Sequence, residues 1–118
     1  MELKKVDFIG SSLEDLREFP DEVKQDIGHA LHKVQGGIKP AEGKPLKGFG
    51  GAGVLEIIDN YLGDTYRAVY TVRFKEVIYV LHCFQKKSKR GIKTPQHDIE
   101  LIKQRLKLAE QLYKIDYQ

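Results

Sequence analysis

A single cysteine in 118 residues rules out an internal disulfide and a cysteine-based metal cage. That residue, Cys83, falls in an apolar run, the setting of a small buried hydrophobe and not of a nucleophile. No apolar run approaches the roughly 20 residues that cross a bilayer, and the opening MELKKVDFIG lacks a signal peptide's apolar stretch. The expectation is a cytoplasmic protein without membrane association. Nucleotide-loop signatures are missing too. Gly48, Gly50, Gly51 and Gly53 suggest one, but the Walker pattern needs Gly-Lys followed by Ser or Thr. The dinucleotide fingerprint needs a strand before the loop and a helix after it, and here a strand follows. His29 and His32 share one flank of a helix with no third ligand nearby, so they read as exposed histidines and no metal site is expected. No cofactor is expected either.

Acids are absent from Val77 through His97, whereas Lys86, Lys87, Lys89, Arg90 and Lys93 fall within eight positions. Residues 77–107 carry a local charge of +6 and residues 14–26 one of −4, within a net charge of only +3. Such a gradient leaves the fold alone but turns one side of the molecule towards a polyanion. Charged residues at 31% and apolar ones at 41% describe an ordinary globular chain, long enough for one domain over residues 1–118.

Three apolar, β-branched and aromatic runs dominate the middle: 54–58, 65–74 and 77–84, separated by turns at Leu62-Gly63-Asp64 and Lys75-Glu76. Runs so closely spaced predict an antiparallel meander. A first strand is expected over 3–9. Ser11-Ser12 ahead of Glu14 and Asp15 predicts a capped helix over 12–19. A second helix starts at Pro20, buries Val23, Ile27, Leu31 and Val34, and stops at Gly36-Gly37. Residues 38–53 read as a Gly- and Pro-rich connector whose Lys44 and Lys47 could rim a phosphate surface. Thr94-Pro95 opens a last helix with Ile99, Ile102, Leu106, Ala109 and Tyr113 on one face; Leu101, Leu108 and Leu112 widen it enough to meet a partner. The fold class is α+β: an N-terminal strand and helical hairpin packed on a twisted antiparallel sheet, with a C-terminal helix.

Alternation along the second run puts Tyr66, Ala68, Tyr70 and Val72 on one face, packed on helices, and Arg67, Val69, Thr71 and Arg73 on the other. A mid-strand arginine needs a partner. Arg67 either bridges a carboxylate such as Glu56 on the neighbouring strand or offers its planar fork to a phosphate. The basic loop leaving the same sheet favours the phosphate.

The ordered set Lys44-Pro45-Leu46-Lys47-Gly48, Leu55-Glu56-Ile57, Tyr66-Arg67-Ala68-Val69-Tyr70, Val80 to Ser88, Thr94-Pro95 and Lys103-Gln104-Arg105 resembles the RelE/HigB-like toxins of bacterial toxin–antitoxin pairs, and within them the phage-derived Gp49-like branch. The resemblance implies a RelE-like, microbial-RNase-like fold that cleaves mRNA in the ribosome, arrests growth and is neutralised by a helix-turn-helix antitoxin through which the complex binds operator DNA. By position, Arg67 matches the strand arginine that contacts the scissile phosphate, and Lys86 and Lys87 the basic pair after the last strand. Leu55 and Ile57 stand where better-studied members carry lysines, and Tyr113 and Tyr117 lie too far down a helix to match the assisting C-terminal tyrosine.

Metal-free RNA cleavage needs a group to take the 2′ proton, one to stabilise charge on phosphorus and one to protonate the leaving 5′ oxygen. The expected face offers no paired carboxylates, which argues against a Mg²⁺-dependent nuclease. Arg67 is the electrostatic clamp, Lys86 or Lys87 a proton carrier whose pKa neighbouring cations lower, and His97, ahead of His82, an acid–base group. Lys44, Lys47, Arg73, Lys89, Arg90 and Lys93 are the expected RNA contacts. The alternatives are a ParE-like toxin that poisons DNA gyrase and a non-catalytic phage-derived RNA-binding protein.

Overall fold

A computed structural model describes residues 3–41, 43–51, 53–86 and 94–118. Five strands form one sheet in the order β1-β5-β4-β3-β2, with three helices: β1 (Lys5–Phe8), α1 (Ser12–Arg17), α2 (Asp21–Gln35), β2 (Gly43–Pro45), β3 (Val54–Tyr61), β4 (Asp64–Thr71), β5 (Val77–Lys86) and α3 (Gln96–Tyr117). The expected meander is β3-β4-β5, antiparallel throughout; β3 is three residues longer than expected and turns on Leu62 and Gly63 alone.

Two features were not legible in the sequence. The first strand docks parallel to β5, Phe8 opposite Val80, although every other strand and two helices intervene in the chain. Inside the connector, Gly43–Pro45 adds an edge strand to β3, placing Lys44 opposite Glu56. A run of Gly, Lys and Pro carries no strand propensity, and proline is tolerated there because an edge leaves one side of the backbone unpaired.

Helices cover both faces of the sheet. Val23, Ile27, Ala30, Leu31 and Val34 of α2 pack with Leu16 and Phe19 onto Tyr66, Ala68, Tyr70, Ile78 and Val80. On the other face Ile102, Leu106 and Ala109 of α3 close over Val54, Val69, Val77, Tyr79 and Leu81. The face that carries Arg67 is therefore half core, half site. Val72, assigned by alternation to the helix-packed side, lies past the end of β4 and is exposed, because the strand stops at Thr71. Leu108 and Ile115 of α3 remain exposed while Leu112 packs on the core. Cys83 is buried, and burial pushes its thiol up to about 12.

The capping signals act differently from expectation. The Ser11 side chain makes no bond to the backbone of α1; its hydroxyl donates to the Asp15 carboxylate at 2.9 Å. Pro20 and Pro95 each occupy the residue before a helix. Thr94 then does not cap α3, and its hydroxyl is released to the sheet.

Candidate functional site

Register decides what gathers on the α3 side of the sheet. Glu56 of β3 lies opposite Val69, Arg67 of β4 opposite Phe84, and Thr65 opposite Lys86, so all these side chains share one face. Arg67 Nη1 donates to Glu56 Oε2 at 3.0 Å and to Thr94 Oγ1 at 3.1 Å. Lys44 on the edge strand places its ammonium 3.9 Å from Glu56 Oε1. Arg67 and Glu56 are 2% and 3% exposed, so theirs is a buried ion pair, the first of the two roles the sequence left open for the arginine. The arginine still faces Lys86. Burial and then the Arg67 charge lower the Lys86 pKa from 10.5, opposed by Glu56 and assisted by Lys44.

A pocket of about 440 Å³ opens on this cluster, lined by Lys44, Leu46, Lys47, Gly48, Glu56, Thr94, Gln96, Ile99 and Lys103 among others. Lys44 and Lys47 therefore line this pocket, and the connector forms part of its wall. Glu56 had been named only as a partner for Arg67, and Thr94 and Lys103 had no place at the site. The Lys44–Glu56 register of β2 would have found Glu56, but that strand is too short to read, and Thr94 and Lys103 depend on where α3 docks.

Other expected residues lie elsewhere. Arg73 follows β4 and ion-pairs with Glu110 of α3, beside Tyr113 and Lys114, away from Arg67. His97 is exposed, its Nε2 3.2 Å from Asp98 Oδ2. The other Asp98 oxygen is 2.7 Å from His82 Nε2. Arg105 Nη1, which can only donate, faces His82 Nδ1 at 3.5 Å, so the proton of a neutral His82 belongs on Nε2, pointing at Asp98. Burial lowers the His82 pKa from 6.5 against the pull of Asp98. Its ring stacks on Phe84, which is half-buried against the α3 layer. Lys87, Lys89, Arg90 and Lys93 lie outside the described residues. Among the described residues no group of three or more His, Cys, Asp or Glu is placed to hold a metal ion. Nor is any described helix long and apolar enough to cross a membrane.

Residues 14–107 match the family model described as phage derived protein Gp49-like (DUF891). The chain belongs to the Gp49-like family. Among solved structures, the Escherichia coli toxin RelE, an arginine-to-alanine double mutant in the free state, superposes with a TM-score of 0.59 at 19% identity, over 91% of this chain and 97% of that one. At that identity the likeness is one of fold. No curated protein matches. This Gp49-like chain thus has a RelE-like sheet and helices, with a buried arginine–glutamate pair at the foot of a lysine-rimmed pocket.

Proposed function

We propose that this Gp49-like protein is the toxin of a toxin–antitoxin pair, a metal-independent endoribonuclease that cuts mRNA within the ribosome in the cytoplasm. Its partner in this reading is a small helix-turn-helix antitoxin that also carries the complex to operator DNA. Family membership and the RelE-like fold support the assignment. The observation that carries it is the Glu56 carboxylate, which lines the pocket with Lys44 and Lys47, is ion-paired to Arg67, and lies close enough to Lys86 for its charge and that of Arg67 to act on the lysine.

That arrangement matches the three demands of the chemistry. The Glu56 carboxylate takes the proton of the 2′-hydroxyl, whose oxygen attacks the adjacent phosphorus. Arg67, always charged, stabilises the negative charge that develops there. The bond to the 5′ oxygen breaks, and the Lys86 ammonium supplies its proton, leaving a 2′,3′-cyclic phosphate and a 5′-hydroxyl. A lysine with a lowered pKa is a better acid for that step than an ordinary one. His97, held by Asp98, is a second candidate donor, and Lys87 keeps the role the resemblance gives it. Positioning of the message by the ribosome would supply on the order of 7–11 kcal/mol, so modest acid–base groups suffice.

Cellular transcript 5′ ends mapped after brief induction test this. Wild type should arrest growth and create new ends. Arg67→Lys, which keeps a charge beside Glu56 but loses the fork, should reduce cleavage by about 100-fold or more. Glu56→Gln should reduce it by a factor of about 100 to 10,000. Full toxicity of Arg67→Lys would remove the clamp from the mechanism. The buried Arg67–Glu56 ion pair favours a second reading, in which the pair is structural and the pocket binds RNA without cutting it. Tight, salt-sensitive RNA binding with no new 5′ ends at any expression level would establish that reading.

A further inference from the structure

Lys44, Lys47, Glu56 and Thr94 account for only part of the pocket lining, and about 440 Å³ is more room than one phosphate requires. The remainder has a different chemistry. Leu46 and Ile99 line it, Gly48 turns there at φ +96° with no heavy atom where a Cβ would be, and Lys103 stands at its rim. From Gln96 to Lys103 the wall rises along α3 by about 10 Å at about 1.5 Å per residue, so Lys103 is well removed from Thr94 and Arg67. Phe49 follows Gly48 in the chain and is not itself part of the pocket lining; its half-buried ring packs on the α3 layer, and the ammonium of Lys103, which does line the pocket, is 6.0 Å from the ring centroid.

We propose that Phe49 and Lys103 form a nucleobase subsite that seats the base next to the bound phosphate. It rests on the nuclease reading for its place in a reaction, but not for the binding itself. A flexible lysine over a ring holds a cation where a planar ligand can slide in; any base presents a π-face to the ring. Lys103, which has donors only, then turns to the acceptors on the base edge and favours bases rich in them. Leu46 and Ile99 exclude water from the edge of the stack. The turn at Gly48 lets the backbone come close without a side chain in the way. Phe49 and Lys103 are thus specificity-determining residues, separate from the groups at the phosphate end.

Titration of the intact protein with inorganic phosphate and with the four nucleoside 3′-monophosphates, followed by amide chemical shifts, tests the subsite. Wild type should bind at least one nucleotide about tenfold more tightly than phosphate. Phe49→Leu, which keeps apolar packing but loses the ring, should bring that ratio to within about twofold and leave phosphate affinity unchanged. Lys103→Met should flatten the preference among the four bases. Equal binding of phosphate and all nucleotides by wild type, or an unchanged ratio in Phe49→Leu, would overturn the proposal. Ring-dependent nucleotide binding in a protein that makes no cut in cells would uphold the subsite and overturn the nuclease alone.

Discussion

A buried arginine that cannot lose its proton makes Glu56 as consequential for stability as for the chemistry proposed above. Arg67→Ala would take from that buried carboxylate the guanidinium 3.0 Å away, leaving Lys44 at 3.9 Å and Lys86 among the described residues, and should destabilise the protein by about 3–5 kcal/mol in denaturant unfolding. Replacing both members with methionine should recover most of that loss, since apolar groups of similar volume need no desolvation. A double variant no more stable than Arg67→Ala would mean that other groups carry the pair's effect. His82 gives a pH dependence of definite sign. Its folded pKa lies below its ordinary 6.5, so the unfolded chain binds the proton first as pH falls. The contribution is complete above pH 6.5 and is lost as pH drops through the lowered folded value. Melting curves from pH 7.5 to 5 should show that loss in wild type and less of it in His82→Gln, whose amide can still donate to Asp98.

Elements with strong alternation were legible, and those defined by remote partners were not. Tyr66, Ala68 and Tyr70 declared their helix-packed face because burial imposes a period of two. The same alternation put Arg67 and Val69 together without telling that α3 would cover Val69 while Arg67 bonds to Glu56 and Thr94 of a pocket wall, for helix placement is a tertiary matter. Arg73 shares that parity but lies past the end of β4, where Glu110 holds it. Parity gives direction and not position along the sheet. The β3–β4 hairpin carries a flaw that propensity does identify. Leu62 and Gly63 both have positive φ, 49° and 84°, the requirement of a two-residue I′ turn, and leucine is strained there. Leu62 is 84% exposed, so Leu62→Asn sacrifices no packing. It should raise stability by about 1 kcal/mol, read as a higher melting temperature; no change would show that the turn relaxes freely.

Across the whole molecule, the acids of the α1–α2 region and the lysines of the pocket rim lie on different elements, and the sequence itself carries a charge gradient. Its consequence is orientation of a polyanion and strong salt sensitivity. Single-stranded RNA binding should weaken with salt at a slope of about −0.7 per phosphate neutralised. Lys47→Gln, at an exposed rim position, should reduce that slope by about 0.7 with no shift in melting temperature. An unchanged slope would place Lys47 off the nucleic-acid path.

The parallel docking of β1 on β5 and the closing of the pocket by Ile99 and Lys103 impose an order of assembly during translation. A nascent polypeptide cannot seat its first strand until residue 77 and beyond have been made, and has no far pocket wall until α3 has been synthesised. Fragments that end before α3 therefore lack the assembled pocket.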